Sequence, residues 1–87
     1  MRREPEYFGD QELVLIHVAR RLKEALAVEG VLDAGCVDYA VEAAPYTSGI
    51  LFFSHRVGAF FYVAPDSEAR ARILIGDLGF KPYQPAR

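Results

Sequence analysis

Ile50-Leu51-Phe52-Phe53-Ser54-His55-Arg56-Val57-Gly58-Ala59-Phe60-Phe61-Tyr62-Val63 holds five of the chain's eleven aromatic residues, in two apolar runs parted by Ser54-His55-Arg56. The pattern predicts a β-hairpin over 50–63 that turns at Ser54–Arg56. Both of its strands are apolar on both faces, so both faces need cover. The rest of the chain reads as material for covering it.

Upstream, Val37, Tyr39, Val41 and Ala43 alternate with Asp38, Ala40 and Glu42, the period of a half-buried strand. Ala44 to Gly49 has the turn chemistry of a loop. Further upstream no proline or glycine interrupts the chain between Asp10 and Glu29. Helix formers dominate this stretch, Asp10 can cap it, and Gly30 supplies a stop, so a helix over about 10–29 is predicted. Its buried stripe is Leu15, Val18, Ala19, Leu22 and Leu26, widened by Ala25. Leu13-Val14-Leu15-Ile16 is apolar all round, more than a single sheet face requires.

Downstream, Pro65 ends the strand, Asp66 or Ser67 can cap a second helix over about 66–78, and Glu68 sits four residues before Arg72. Ala71, Leu74, Ile75 and Leu78 form its stripe. Gly76 inside it points to tight packing, and Gly79-Phe80 reads as a glycine stop with the ring folded back. Residues 1–9 and 81–87 are less regular tails; the latter, with two prolines, can add at most a short edge strand. The expectation is α+β: a three- to four-stranded antiparallel sheet around the 50–63 hairpin, with both helices on one face.

Length and composition narrow the function. Eighty-seven residues make a single domain over 1–87. A hydrophobic content of 52% excludes a disordered chain and exceeds what so small an interior can hide, which points to a subunit interface. Ten basic and twelve acidic residues are scattered and give a net charge of −2, so nucleic acid is not an expected partner. Nor is a membrane: no signal-peptide core is present, and the apolar run Val57–Ala64 is too short to span a bilayer. A single cysteine, Cys36, fits a reducing, cytoplasmic setting and reads as a small buried hydrophobe.

Chemistry-bearing motifs are sparse. His17 and His55 are the only histidines, and with one cysteine they make no metal-ligand spacing, so neither a metal nor a cofactor is expected. His17 reads as a boundary residue beside the helix stripe, and His55 as a turn residue. Ser54 and His55 are adjacent, which in an extended strand sends them to opposite faces. Asp38 and Glu42 share the outer face of one strand, an arrangement commoner for a solvated edge than for an acid–base pair. No catalytic residue is expected.

Arg56–Val63 followed by a helix is similar to the third strand and second helix of RNA-recognition motifs. There, however, Val57 falls where a base-contacting Lys or Arg belongs, and the net charge has the opposite sign. The order from Leu22 to Phe80, with its Tyr62-Val63-Ala64-Pro65-Asp66 strand-to-helix junction, resembles small bacterial signal-transducing domains of unknown function. These share the shape of ferredoxin-like regulatory domains such as the ACT group. That resemblance implies a regulatory role and transfers no functional residue.

The leading expectation is a cytoplasmic domain that acts by self-association, as a homodimer, and by binding a protein partner or a ligand. Candidate interface residues are Leu13, Val14, Ile16, Phe60 and Tyr62. The alternative is a small-molecule sensor with an aromatic-lined pocket, its ligand contacts coming from Tyr46, His55, Arg56, Phe60 and Tyr62. A further alternative is a small hydrolase or isomerase using His55.

Overall fold

A computed structural model describes residues 1–48 and 54–80, with side chains for all of these except 45–48 and 54–56. The element order is β1 (Val14–Ala19), α1 (Leu22–Ala34), β2 (Tyr39–Ser48), β3 (Ser54–Val63) and α2 (Glu68–Asp77). Two 3-10 turns, Pro5–Phe8 and Pro65–Ser67, precede β1 and α2. The strands form an antiparallel sheet in the order β1-β3-β2. The outer strands β1 and β2 are therefore parallel to one another with β3 between them, and α1 makes the crossover of a split β–α–β unit. Among the described residues no helix is long and apolar enough to cross a membrane.

The expected class, a three-stranded antiparallel sheet with two helices on one face, is what the protein adopts. Phe61 and Val63 of β3 are wholly buried and meet Val28 and Leu32 of α1, and Ala71 and Ile75 of α2, in one cluster. Tyr39 of β2 and Ile16 of β1 close its sides. The second helix lies close to where its sequence places it. Arg72 Nε donates to Glu68 Oε2 at 3.0 Å, Gly79 takes φ +91, and Phe80 packs back on the core. Neither Asp66 nor Ser67 caps it through a side chain, and Leu78 is exposed. Gly76 is exposed too, with nothing within 4 Å of where a Cβ would stand, so tight packing does not account for it.

The first helix begins later than expected. Residues 14–19 are a strand and the helix runs 22–34, continuing through Gly30. Val14, Ile16 and Val18 are β-branched and favour a strand, whereas Ala, Leu and Glu dominate only after Arg21. Leu22 and Leu26 are consequently exposed, not part of the buried stripe. The hairpin is also displaced. Ser48 pairs with Ser54, Thr47 with His55 and Tyr46 with Arg56, so Ser54–Arg56 is strand and not turn. The expected first hairpin strand, 50–53, lies outside the described residues, as does the 81–87 tail. Residues 44–48, expected as a loop, extend β2. Pro45 is tolerated there because β2 is an outer strand and its missing N–H breaks no ladder on the far side.

Helix α1 ends in a Schellman arrangement: Val37 N–H donates to Leu32 O at 2.9 Å and Cys36 N–H to Asp33 O at 3.1 Å. The residue that must turn left-handed in this motif is Cys36, with φ +58, where glycine is usual. It is exposed, against the expectation of burial. Gly35 before it is held close to α2: a Cβ there would lie 2.6 Å from Leu74 Cδ1, and Arg70 Nη2 donates to its carbonyl at 2.8 Å. Replacing Cys36 with glycine relieves the left-handed strain and is expected to stabilise the protein by about 1 kcal/mol. A higher thermal midpoint in Cys36→Gly than in the parent checks this; an unchanged or lower one contradicts it.

Candidate functional site

The sheet has a second face that neither helix touches. Because side chains alternate along β3, Phe60 and Tyr62 point away from Phe61 and Val63. Leu15 of β1 and Ala40 of β2 stand opposite Tyr62; Val18 and Glu42 stand opposite Phe60. Of these six side chains Glu42 alone is charged. Leu15, Val18, Phe60 and Tyr62 are half-buried, neither covered nor free.

The N-terminal segment lies across one end of this face. Arg3 N–H donates to Tyr39 O at 2.7 Å, Tyr39 N–H donates to Met1 O at 3.1 Å, and Arg2 bridges to Tyr39 in parallel. This extends the sheet beyond β2. The chain then passes through the Pro5–Phe8 turn, where Phe8 is buried outside the main core, and enters β1 from Leu13. Pro5, Leu13, Ala40, Val41, Glu42 and Tyr62 line a shallow cavity of about 300 Å³ beneath it. Asp38 holds the segment down: Arg3 Nε and Tyr7 Oη each donate to its carboxylate at 3.1 Å. Burial draws the Asp38 pKa upward, but those two hydrogen bonds and the Arg3 charge outweigh it and leave the value below the ordinary one. Burial and, next, Glu42 raise the phenol of Tyr62, which keeps it a neutral donor.

A polar pair lies on the helix side. The register of β1 against β3 slips between Leu15 and His17, a bulge that turns two successive side chains, Ile16 and His17, into the core. His17 is 3% exposed and lies beside the rings of Phe61 and Phe80. Its Nε2 is 2.6 Å from Glu24 Oε2 on α1. A carboxylate only accepts, so Nε2–H donates to it, and Nδ1 is buried with no hydrogen-bond partner among the described residues. Glu24 and Phe80, with Arg21, Lys23 and Ala27, also line an open cavity of about 420 Å³. Among the described residues no group of three or more His, Cys, Asp or Glu side chains is placed to hold a metal.

The residues singled out by sequence divide accordingly. Phe60, Tyr62 and Leu13 meet on the uncovered face. Val14, half-buried, packs against the core on the helix side instead, and Ile16 is wholly buried within it and so closed to a partner. The side chains of Tyr46, His55 and Arg56 lie outside those described; their backbones are paired in β2 and β3. The His17–Glu24 pair was not foreseen, because a helical reading of 10–29 sets His17 at a stripe's edge. No family model matches the chain, and no curated protein or solved structure matches it.

Two outcomes follow from this geometry. Replacing Glu24 with leucine strips the buried Nε2–H of its acceptor and is expected to cost about 1–3 kcal/mol in chemical denaturation. Glu24→Gln, whose amide oxygen still accepts, is expected to cost less; equal losses would mean that packing, not the hydrogen bond, holds the pair. The lowered Asp38 pKa contributes stability that is complete above the unfolded-chain value of about 4 and is lost as pH falls through the folded value. Asp38 is a third exposed, so the contribution is under about 1 kcal/mol. Urea unfolding at pH 7 and near pH 3 is expected to show the deficit of Asp38→Asn shrinking at the lower pH.

Proposed function

We propose that this chain is a binding domain that associates with a second copy of itself through the uncovered face of its sheet, in a regulatory rather than catalytic role. The observation that carries the reading is the pair Phe60 and Tyr62, held half-buried on the central strand between Leu15 and Val18, with neither helix laid over them and, among the described residues, only the N-terminal segment beside Tyr62. Aromatic side chains on a rigid strand lose little entropy on docking and dominate association energies where they are desolvated. Glu42 lies on β2, exposed, where a rim charge stays wet in a face-to-face pair. Two copies related by a two-fold axis near Phe60 would cover the aromatic pair of each with that of the other.

A small ligand is the second reading, supported by the cavity beside Glu24, where Arg21 and Lys23 would favour an anionic molecule. Native mass spectrometry separates the two, because a ligand carried through purification appears as added mass on the monomer. For the first reading, Phe60→Glu is expected to break the face-to-face pair and leave assemblies of about half the original mass. Val18→Lys, at the edge strand and cheaper to the fold, is expected to do the same. Retention of the original mass in both variants, with far-UV circular dichroism intact, would exclude this face as an interface.

A further inference from the structure

The cavity beneath the N-terminal segment carries two polar groups that the fold leaves unused. It holds about 300 Å³, room for a small organic molecule, and Pro5, Leu13, Ala40 and Val41 make most of its lining apolar. The remaining two lining residues are Glu42 and Tyr62. Glu42 is exposed and makes no hydrogen bond or ion pair among the described residues, and the Tyr62 phenol donates to none of them. The two lie close enough for the carboxylate to add to the effect of burial in raising the phenol, so a neutral ring stands beside a negative charge. Tyr62 is eight residues along β3 from Ser54, about 26 Å in an extended strand. The face is also the one opposite Phe80, which packs on the helix-side core.

A filled version of the same arrangement stands next to it. Val37 and Tyr39 turn into the core, so Asp38 points to the other side, as Ala40 and Glu42 do. At Asp38 the Arg3 guanidinium lies 4.5 Å from the centre of the Tyr7 ring, while its Nε donates to the carboxylate at 3.1 Å. A carboxylate and a tyrosine ring thus hold one cation between them. Four residues along the chain, Glu42 and Tyr62 present the same two groups around a cavity, with no cation of the described residues between them. We infer that this cavity binds a small organic cation of the alkylguanidinium class, its charged head on Glu42 and Tyr62 and its alkyl body against the apolar lining. The site is opposite in sign to the cavity beside Glu24, where Arg21 and Lys23 repel a cation. It goes beyond self-association and does not require it; in a face-to-face pair Glu42 stays at the rim, where the cavity keeps an opening.

Butylguanidinium is the probe, and butylurea, neutral and of nearly the same shape, is its control. Both are titrated into the protein at constant ionic strength and followed by amide NMR, residue by residue. The cation is expected to give saturating shifts centred on Ala40, Val41, Glu42 and Tyr62, with a Kd of about 1 mM, in keeping with so small a ligand. Butylurea is expected to bind several-fold more weakly. Glu42→Gln changes an exposed side chain at almost constant shape and leaves the fold intact; it is expected to weaken the cation on the order of fivefold. Tyr62→Leu removes the ring but keeps an apolar residue on the strand, and is expected to weaken it about threefold. Equal binding of butylurea, unchanged affinity in either variant, shifts confined to other residues, or no saturable shift would each overturn the inference. The readout is local to the cavity, so it is independent of the native-mass measurement that tests pairing of the face.

Discussion

β3 must be covered on both sides, and most of the molecule answers to that constraint. Over Ala59–Val63 it is paired with β1 on one edge and β2 on the other, so its backbone groups there are satisfied within the sheet. Its side chains do not share that closure. Phe61 and Val63 supply one face, Phe60 and Tyr62 the other, and a chain of this length has two helices to offer. Both go to the first face, because α1 must cross from β1 to β2 and α2 then packs beside it, latched through Arg70 and Gly35. Among the described residues the second face receives only the N-terminal segment at one end, fixed by Arg3 and Tyr7 on Asp38. Among the described residues, hydrophobic content that looked excessive in the sequence is thus found on the uncovered sheet face and at Leu22, Leu26 and Val57, which stand exposed on α1 and β3.

The bulge in β1 shows how one extra residue alters the energetics of the core. Without it, strict alternation would send Ile16 and His17 to opposite faces. With it, both turn inward, and the core gains a wholly buried isoleucine together with an imidazole that needs a partner. Glu24, in the first turn of α1, supplies one at 2.6 Å and ties the helix start to the strand that precedes it. A carboxylate near a helix N-terminus is also favoured by the exposed N–H groups there. The pair therefore fixes the β1-to-α1 turn more tightly than apolar contact would, at the cost of a buried Nδ1 with no partner among the described residues.

Much of the fold was legible in the sequence, and the errors have a common physical cause. The double-sided apolar character of 57–63 marked the central strand, and Pro65 and Gly79 bracketed α2 within a residue or two. Leu13–Ile16 misled because a strand with a bulge buries residues at irregular spacing, which a helical period of 3.6 fits almost as well. No glycine or proline marks the boundary at Arg20-Arg21, so strand and helix merge into one uninterrupted run. Gly30 looked like a stop but lies within the helix, exposed and in open space. The left-handed residue that does end the helix is a cysteine, which no propensity rule flags. Of the candidate surface, Phe60 and Tyr62 were readable from the strand pattern, and Leu13 only from the apolar excess of Leu13–Ile16. Leu15 and Val18 were not, because they entered the sequence reading as helix stripe.

Several charged groups hold elements of the fold together, whereas the exposed apolar sets take no part in such pairs. Asp33 and Asp38 are engaged with Tyr39, Arg3 and Tyr7, and Glu68 with Arg72. Burial and the hydrogen bond to Asp33 hold the Tyr39 phenol far above its ordinary range, so it is a fixed donor and not a titrating group. Glu24 is spent on His17. Leu15, Val18, Phe60 and Tyr62 on one side, and Leu22, Leu26 and Val57 on the other, have no such commitment. Each set is apolar and is left partly wet by the described residues, the condition under which docking another surface gains most from excluding water.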